Sequence, residues 1–134
     1  MNVVDTSAIA ALLFGEPGSE GIEQMLTSAP CVMTAPTRVE LGMVVESRAG
    51  AAGTQLLEEL LARVEMQTAP VDALLANEAL VCWRRFGKGR HPASLNFADT
   101  FSYALAKQTD LPLLFVGKDF TQTDVDRTAD RATD

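Results

Sequence analysis

Four carboxylates in this chain sit where ordinary surface charges do not. Asp5 is the only charged side chain in the first fifteen residues, and Asp99 is the only one between Arg90 and Lys107. Glu40 lies in RVELGMVV, with Met43 and Val44 three and four positions on and so on its own helical face. Asp119 follows the apolar run PLLFVG at 112–117. Ionised carboxylates in apolar surroundings are costly unless paired or bound to a cation, and little Lys or Arg lies near the first three in sequence. Hard oxygen donors of this kind suit Mg²⁺ or Mn²⁺, while one histidine and two scattered cysteines disfavour zinc. A cation so held can activate water and neutralise a phosphodiester during in-line attack.

Each acid also has a local explanation. Asp5, with Thr6 and Ser7, can cap a helix. Thr37 and Glu40 match a capping box, Asn96 and Asp99 place an acid in a helix's first turn, and Asp119 suits a turn. The two accounts are compatible, because strand ends and helix starts meet at the same edge of an α/β domain.

The elements that must position these groups are legible from periodicity. NVV at 2–4 is a short apolar strand ending at Asp5, and AIAALLF is a buried helix stopped by Gly15 and Pro17. A helix is expected after Ser19 as far as Ser28, a strand at Cys31–Met33, and a helix from Pro36 to Arg48. Gly50 and Gly53 mark the next connection, and Leu56, Leu57, Leu60, Leu61 and Val64 stripe a further helix over 54–64. A third strand is expected within 66–71. Asp72 caps a helix to Phe86, and Asn96 caps one ending near Gln108. Strands are expected at 112–117 and 124–126, with residues 127–134 a frayed tail. Short apolar strands alternating with helices predict a three-layer α/β/α domain over 1–126, with a mainly parallel sheet of four to five strands. Ligands of such sheets gather beyond the carboxyl ends of the strands, where Asp5 and Asp119 fall.

The chain has 134 residues, enough for one domain with its own core. Its longest apolar run, Ala8 to Phe14, is too short to span a bilayer and follows an Asp rather than a basic segment. Cys31 and Cys82, in no C-x-x-C arrangement, read as reduced thiols of a cytoplasmic protein. A net charge of −7 excludes nucleic-acid binding through the overall field. Locally the sign reverses: Arg84 to His91 reads RRFGKGRH, with no acid. Arg84, Arg85, Lys88 and Arg90 are candidates for phosphate contact, or for a solvated helix end; His91 reads as a surface loop residue. No phosphate-binding loop is present, since Gly117 and Lys118 are followed by Asp119, and no G-x-S-x-G elbow occurs.

At the acidic residues the sequence resembles the PIN-domain family, and within it the VapC toxins of toxin–antitoxin pairs. VVDTSAIAALLFGEP, APTRVELGMVVESR and SLNFADTFSYALAKQTDLPLLFVGKDFTQTDV are similar to the family's three characteristic blocks, in its order and spacing. The resemblance implies that Asp5, Glu40 and Asp99 hold a metal ion, with Asp119 matching the more variable fourth acid and Asp124 able to replace or assist it. It also implies that Thr6 or Ser7 bonds a ligand and that Asn96 orients the site. Ala98 stands where many relatives have glycine. An RNA substrate, an antitoxin that occludes the site and a homodimer are further implications. The competing function is a PIN-like module that binds RNA or protein without cleaving, against which the complete acidic set argues. A phospho-receiver domain would need an acidic pair near the first strand, and a haloacid-dehalogenase phosphatase would need Asp-x-Asp where this chain has Asp5-Thr6-Ser7.

Overall fold

A computed structural model describes residues 1–128. The order of elements is β1 (Asn2–Val4), α1 (Thr6–Phe14), α2 (Ile22–Ser28), β2 (Cys31–Thr34), α3 (Ala35–Arg63), β3 (Gln67–Ala69), α4 (Ala73–Phe86), α5 (Phe97–Thr109) and β4 (Leu113–Leu114). A short 3₁₀ turn, Phe120–Gln122, follows. The strands form a four-stranded sheet in the order β3-β2-β1-β4, with every pairing parallel.

Alternation along these strands builds the three layers. Val3, Val32 and Leu113 point into a core with Leu75, Ala79, Cys82 and Phe86 of α4 and Phe101 and Leu105 of α5. Their neighbours Val4, Cys31, Met33 and Leu114 face the other way, onto Ile9, Leu26, Leu41, Val45 and Leu57. A period of two with both faces apolar is what a parallel sheet covered by helices requires. Among the described residues no helix is long and apolar enough to cross a membrane.

Several boundaries differ from those expected. The two helices expected over 36–48 and 54–64 run on as α3, broken only where Gly50 takes φ 63° and ψ −156°. Gly53 does not punctuate: it is buried inside α3, where an added Cβ would collide with Ala49 Cβ and crowd Val45. The strand expected over 112–117 pairs only at Leu113–Leu114. Its partner β1 stops at Val4, and Asp5 turns into α1, so Phe115 and Val116 have no strand beside them. Residues 124–126 form no strand either; a single bridge joins Leu113 to Arg127, with Leu113 N–H donating to Asp126 O at 2.8 Å. Thr128 is buried and its hydroxyl donates to Asn2 Oδ1 at 3.1 Å, so the start of the expected tail is tied to β1. Residues 129–134 lie outside the described residues.

Candidate active site

Asp5 ends β1 and caps α1, as sequence anticipates, yet capping uses only part of it. Oδ2 accepts from Ser7 N at 3.1 Å and from Ser7 Oγ at 2.7 Å, while Oδ1 accepts from Ser102 Oγ at 3.0 Å. Ser7 Oγ in turn accepts from Val116 N at 3.1 Å, which ties β4's continuation to the start of α1. Burial pushes the Asp5 carboxyl above its ordinary range, against the lowering effect of the Ser7 and Ser102 hydrogen bonds.

Asp99 sits in the first turn of α5. Its Oδ2 accepts from Asn96 N at 3.0 Å and Asn96 Oδ1 accepts from Asp99 N at 2.9 Å, a complete capping box. Even so, its pKa is pushed from 3.8 up to about 7. Burial is the largest cause and the Asp5 charge comes next, with Glu40 and Asp119 adding to it. Asp5, Glu40 and Asp119, far from Asp99 in sequence, therefore lie close enough to act on it.

Glu40 is half-buried in α3. The expected capping box with Thr37 does not form: α3 begins at Ala35 with Thr34 as its N-cap, leaving Glu40 in the second turn. Glu40 instead lines an apolar groove of about 680 Å³ together with Val39, Met43, Asn96, Phe97 and Ala98. Asp119 is exposed at the start of the 3₁₀ turn and makes no side-chain capping bond. Asp124 is held elsewhere, by the Tyr103 hydroxyl and by ion pairs to Lys107 at 3.4 Å and Arg85 at 3.7 Å. Against the raising effect of burial, the Tyr103 and Lys107 contacts hold its pKa below the ordinary value.

The residues present fit a hard divalent cation. Among the described residues no Lys, Arg or His forms an ion pair with Asp5, Glu40, Asp99 or Asp119. Thr6 Oγ1, beside Asp5, is buried with no hydrogen-bond partner among them. An uncompensated acidic cluster and an orphaned hydroxyl are both satisfied by a cation with its waters. Among the described residues no three acid, imidazole or thiol groups stand close enough together to hold an ion as they are placed.

The basic stretch is split. Arg85 is engaged with Asp124 and Tyr103 and lies 4.6 Å over the Phe86 ring. Arg84, exposed at the end of α4, accepts through its carbonyl from Arg90 Nε at 3.2 Å, and the Arg90 guanidinium stacks 4.6 Å over Trp83. Lys88 instead borders a groove of about 560 Å³ lined by Trp83, Asn96 and Phe97, adjoining the acidic edge. His91 is half-buried and holds the loop through Ala93 N at 3.0 Å.

A set of three hydroxyls escapes the sequence reading. Thr34, Thr37 and Ser102, all with 0% exposure, connect in series to Asp5. No sequence signal marked them, because Thr34, Thr37 and Ser102 meet only when β2, α3 and α5 pack together.

Two buried acids, Asp5 and Asp99, thus lie at the carboxyl edge of a short parallel α/β sheet, the arrangement on which the resemblance to the PIN-domain family rests. Consistent with this, residues 3–126 match the family model described as PIN domain, and the chain belongs to that family. It is 44% identical to Ribonuclease VapC of Mycolicibacterium smegmatis over 92% of this chain and 96% of that protein. Its fold is similar to that of Mycobacterium tuberculosis VapC20, described as a sarcin–ricin loop cleaving toxin, with TM-score 0.74 and 19% identity over 93% of this chain and 96% of that one. A toxin–antitoxin complex from Klebsiella pneumoniae contains a chain of similar fold, with TM-score 0.65 and 15% identity over 92% and 93%.

Proposed function

We propose that this chain is a divalent-metal-dependent endoribonuclease acting as the toxin of a VapBC-type pair. The observation that carries the metal reading is that Asp5 and Asp99 are buried with no Lys, Arg or His paired to them among the described residues, burial and the Asp5, Glu40 and Asp119 charges pushing Asp99 up to about 7. The ribonuclease reading draws on the similarity to VapC across nearly the whole chain. Asp5, Glu40 and Asp99 would hold Mg²⁺ or Mn²⁺, with Asp119 as the fourth acid. A bound ion there supplies an easily deprotonated water and offsets charge on the phosphodiester.

The chain's own groups do the rest. Ser7 and Ser102 fix the Asp5 carboxylate, and Asn96 fixes that of Asp99. Thr6 Oγ1, buried beside Asp5, has no hydrogen-bond partner among the described residues and would gain one from a ligand or water that reached it. Lys88 supplies a positive charge at the rim of the adjoining groove, with Arg84 and Arg90 further along the loop as secondary candidates for the RNA backbone. Arg85 is the least available of the four, being held by Asp124.

Val39, Met43 and Phe97 are 61%, 66% and 75% exposed around the Glu40 groove, a surface suited to burial against protein. The antitoxin and a second copy of the chain are the occupants the family resemblance implies. The buried, unpaired Cys31 and Cys82 suit a reducing cytoplasm.

The test is cleavage of an end-labelled RNA by the purified chain, with Mg²⁺ or with a chelator, beside Asp5→Asn. Cleavage that needs Mg²⁺ and is lost in the variant supports the proposal. Metal-dependent binding without cleavage would instead favour the non-catalytic module.

A further inference from the structure

The Asp5 carboxylate is approached from two sides, and only one approach belongs to helix capping. On the capping side, Ser7 gives both its backbone N–H and its hydroxyl to Oδ2. On the other side, Ser102 Oγ on α5 donates to Oδ1 across 97 residues of sequence. Ser102 has one hydroxyl proton, which is spent on Asp5. Its 3.0 Å contact with Thr37 Oγ1 must therefore be donated by Thr37. Thr37 Oγ1, having given its proton, accepts from Thr34 Oγ1 at 3.0 Å. Thr34 Oγ1 is fixed in turn by accepting Thr37 N–H at 3.1 Å, the cap of α3. Every hydroxyl proton in this buried series thus points one way, from the end of β2 through α3 and α5 to Asp5.

From this geometry we infer that Ser102 is a positioning residue for metal binding, aligned by Thr37 and Thr34, which fixes the direction in which Asp5 Oδ1 is presented to the ion. The inference rests on the metal-site reading above. Oδ2 takes two donors and Oδ1 one, so Oδ1 keeps the larger share of its acceptor capacity for a ligand. Without Ser102 the carboxylate could rotate about the capping bond and lose that direction. The series also couples the site to packing: the hydroxyls that aim Asp5 lie on β2, α3 and α5, the last two of which carry Glu40 and Asp99. Hydrogen bonds that orient a ligating carboxylate in this way govern affinity without touching the ion.

The experiment is calorimetric titration of the full chain with Mn²⁺, each variant first checked for a cooperative thermal transition. Ser102→Ala should weaken Mn²⁺ binding about ten-fold. Thr37→Val keeps the shape and removes the hydroxyl, and should weaken it by a smaller factor of about three. Thr37→Ser keeps the hydroxyl and removes the methyl, and should bind as the parent does. This pair separates alignment from packing, since a purely steric role would make Ser the worse replacement. Should Ser102→Ala fail to fold, the Thr37 pair still decides the matter. Asp5→Asn is titrated alongside. If Asp5→Asn loses Mn²⁺ while Ser102→Ala and Thr37→Val keep the parent affinity, the positioning role is wrong and the metal site stands. If Thr37→Ser binds as weakly as Thr37→Val, the contact is packing and the role is again wrong. If Asp5→Asn itself binds Mn²⁺ as the parent does, the metal-site reading fails and takes this inference with it.

Discussion

Replacing Asp99 with Asn separates the two roles that residue plays, because they predict opposite signs. As a capping residue, Asp99 accepts Asn96 N–H through Oδ2, and an amide oxygen at the same place can do so too. Capping alone therefore predicts a small loss on substitution, about 0.5 kcal/mol for the missing charge at a helix N-terminus. As a member of the acidic cluster, Asp99 is ionised at a cost. Its folded pKa of about 7 exceeds the ordinary 3.8, so its protonated form is the one the fold favours. Such a group stabilises fully below its unfolded pKa and loses that contribution as pH rises through about 7. At about 1.4 kcal/mol per pH unit, the displacement corresponds to about 4 kcal/mol. With the metal chelated, Asp99→Asn should thus be more stable than the parent near pH ~7.5, by as much as about 4 kcal/mol, and the gap should shrink to less than half of that at pH ~5 and close only below pH ~4. Adding Mn²⁺ should reverse the order, since only the parent gains from binding. Urea unfolding with EDTA at both pH values, and with Mn²⁺ at the higher one, makes the comparison. An Asn variant less stable than the parent in EDTA at the higher pH would refute the reasoning and leave Asp99 as a cap.

Glu40→Gln should change stability by less than about 0.5 kcal/mol, because Glu40 caps nothing, while RNA cleavage falls by orders of magnitude. Unaltered turnover in that variant excludes Glu40 from the site. Asp119→Asn should weaken Mn²⁺ binding and Asp124→Asn should not, since Asp124 is already satisfied by Tyr103, Lys107 and Arg85; titration of both variants reads the difference. For RNA binding by Asp5→Asn across a salt series, adding Lys88→Ala should flatten the salt dependence by about one unit of slope. Adding Arg85→Ala should leave it unchanged, and the reverse pattern would move the RNA path to the α4–α5 face.

How much of this was legible in the chain depends on how local each signal is. β1, the Asp72 cap and the Asn96–Asp99 box are set by neighbouring residues, and they stand where periodicity and capping rules put them. The extent of β4 is not local: PLLFVG has the composition of a long strand, but pairing ends when β1 turns away at Asp5. Gly53 reads as a break and is a packing contact, because the kink at Gly50 folds α3 so that its missing Cβ would meet Ala49 and Val45 of the preceding turns. The acids stood out by isolation from other charges, which the sequence displays directly. The hydroxyls behind Asp5 did not, since Ser and Thr in helices carry no pattern until α3 and α5 are brought together. Asp124 read in sequence as able to replace or assist Asp119, and only the fold shows it engaged by Tyr103, Lys107 and Arg85.

The most direct test of the central claim is the position of Mn²⁺ in crystals of the chain, located by its anomalous scattering. The account predicts a peak within about 2.2 Å of carboxylate oxygens of Asp5 and Asp99, with Glu40 and Asp119 directed toward it singly or through water. A peak confined to other acids, or none at these four at millimolar Mn²⁺, would contradict it.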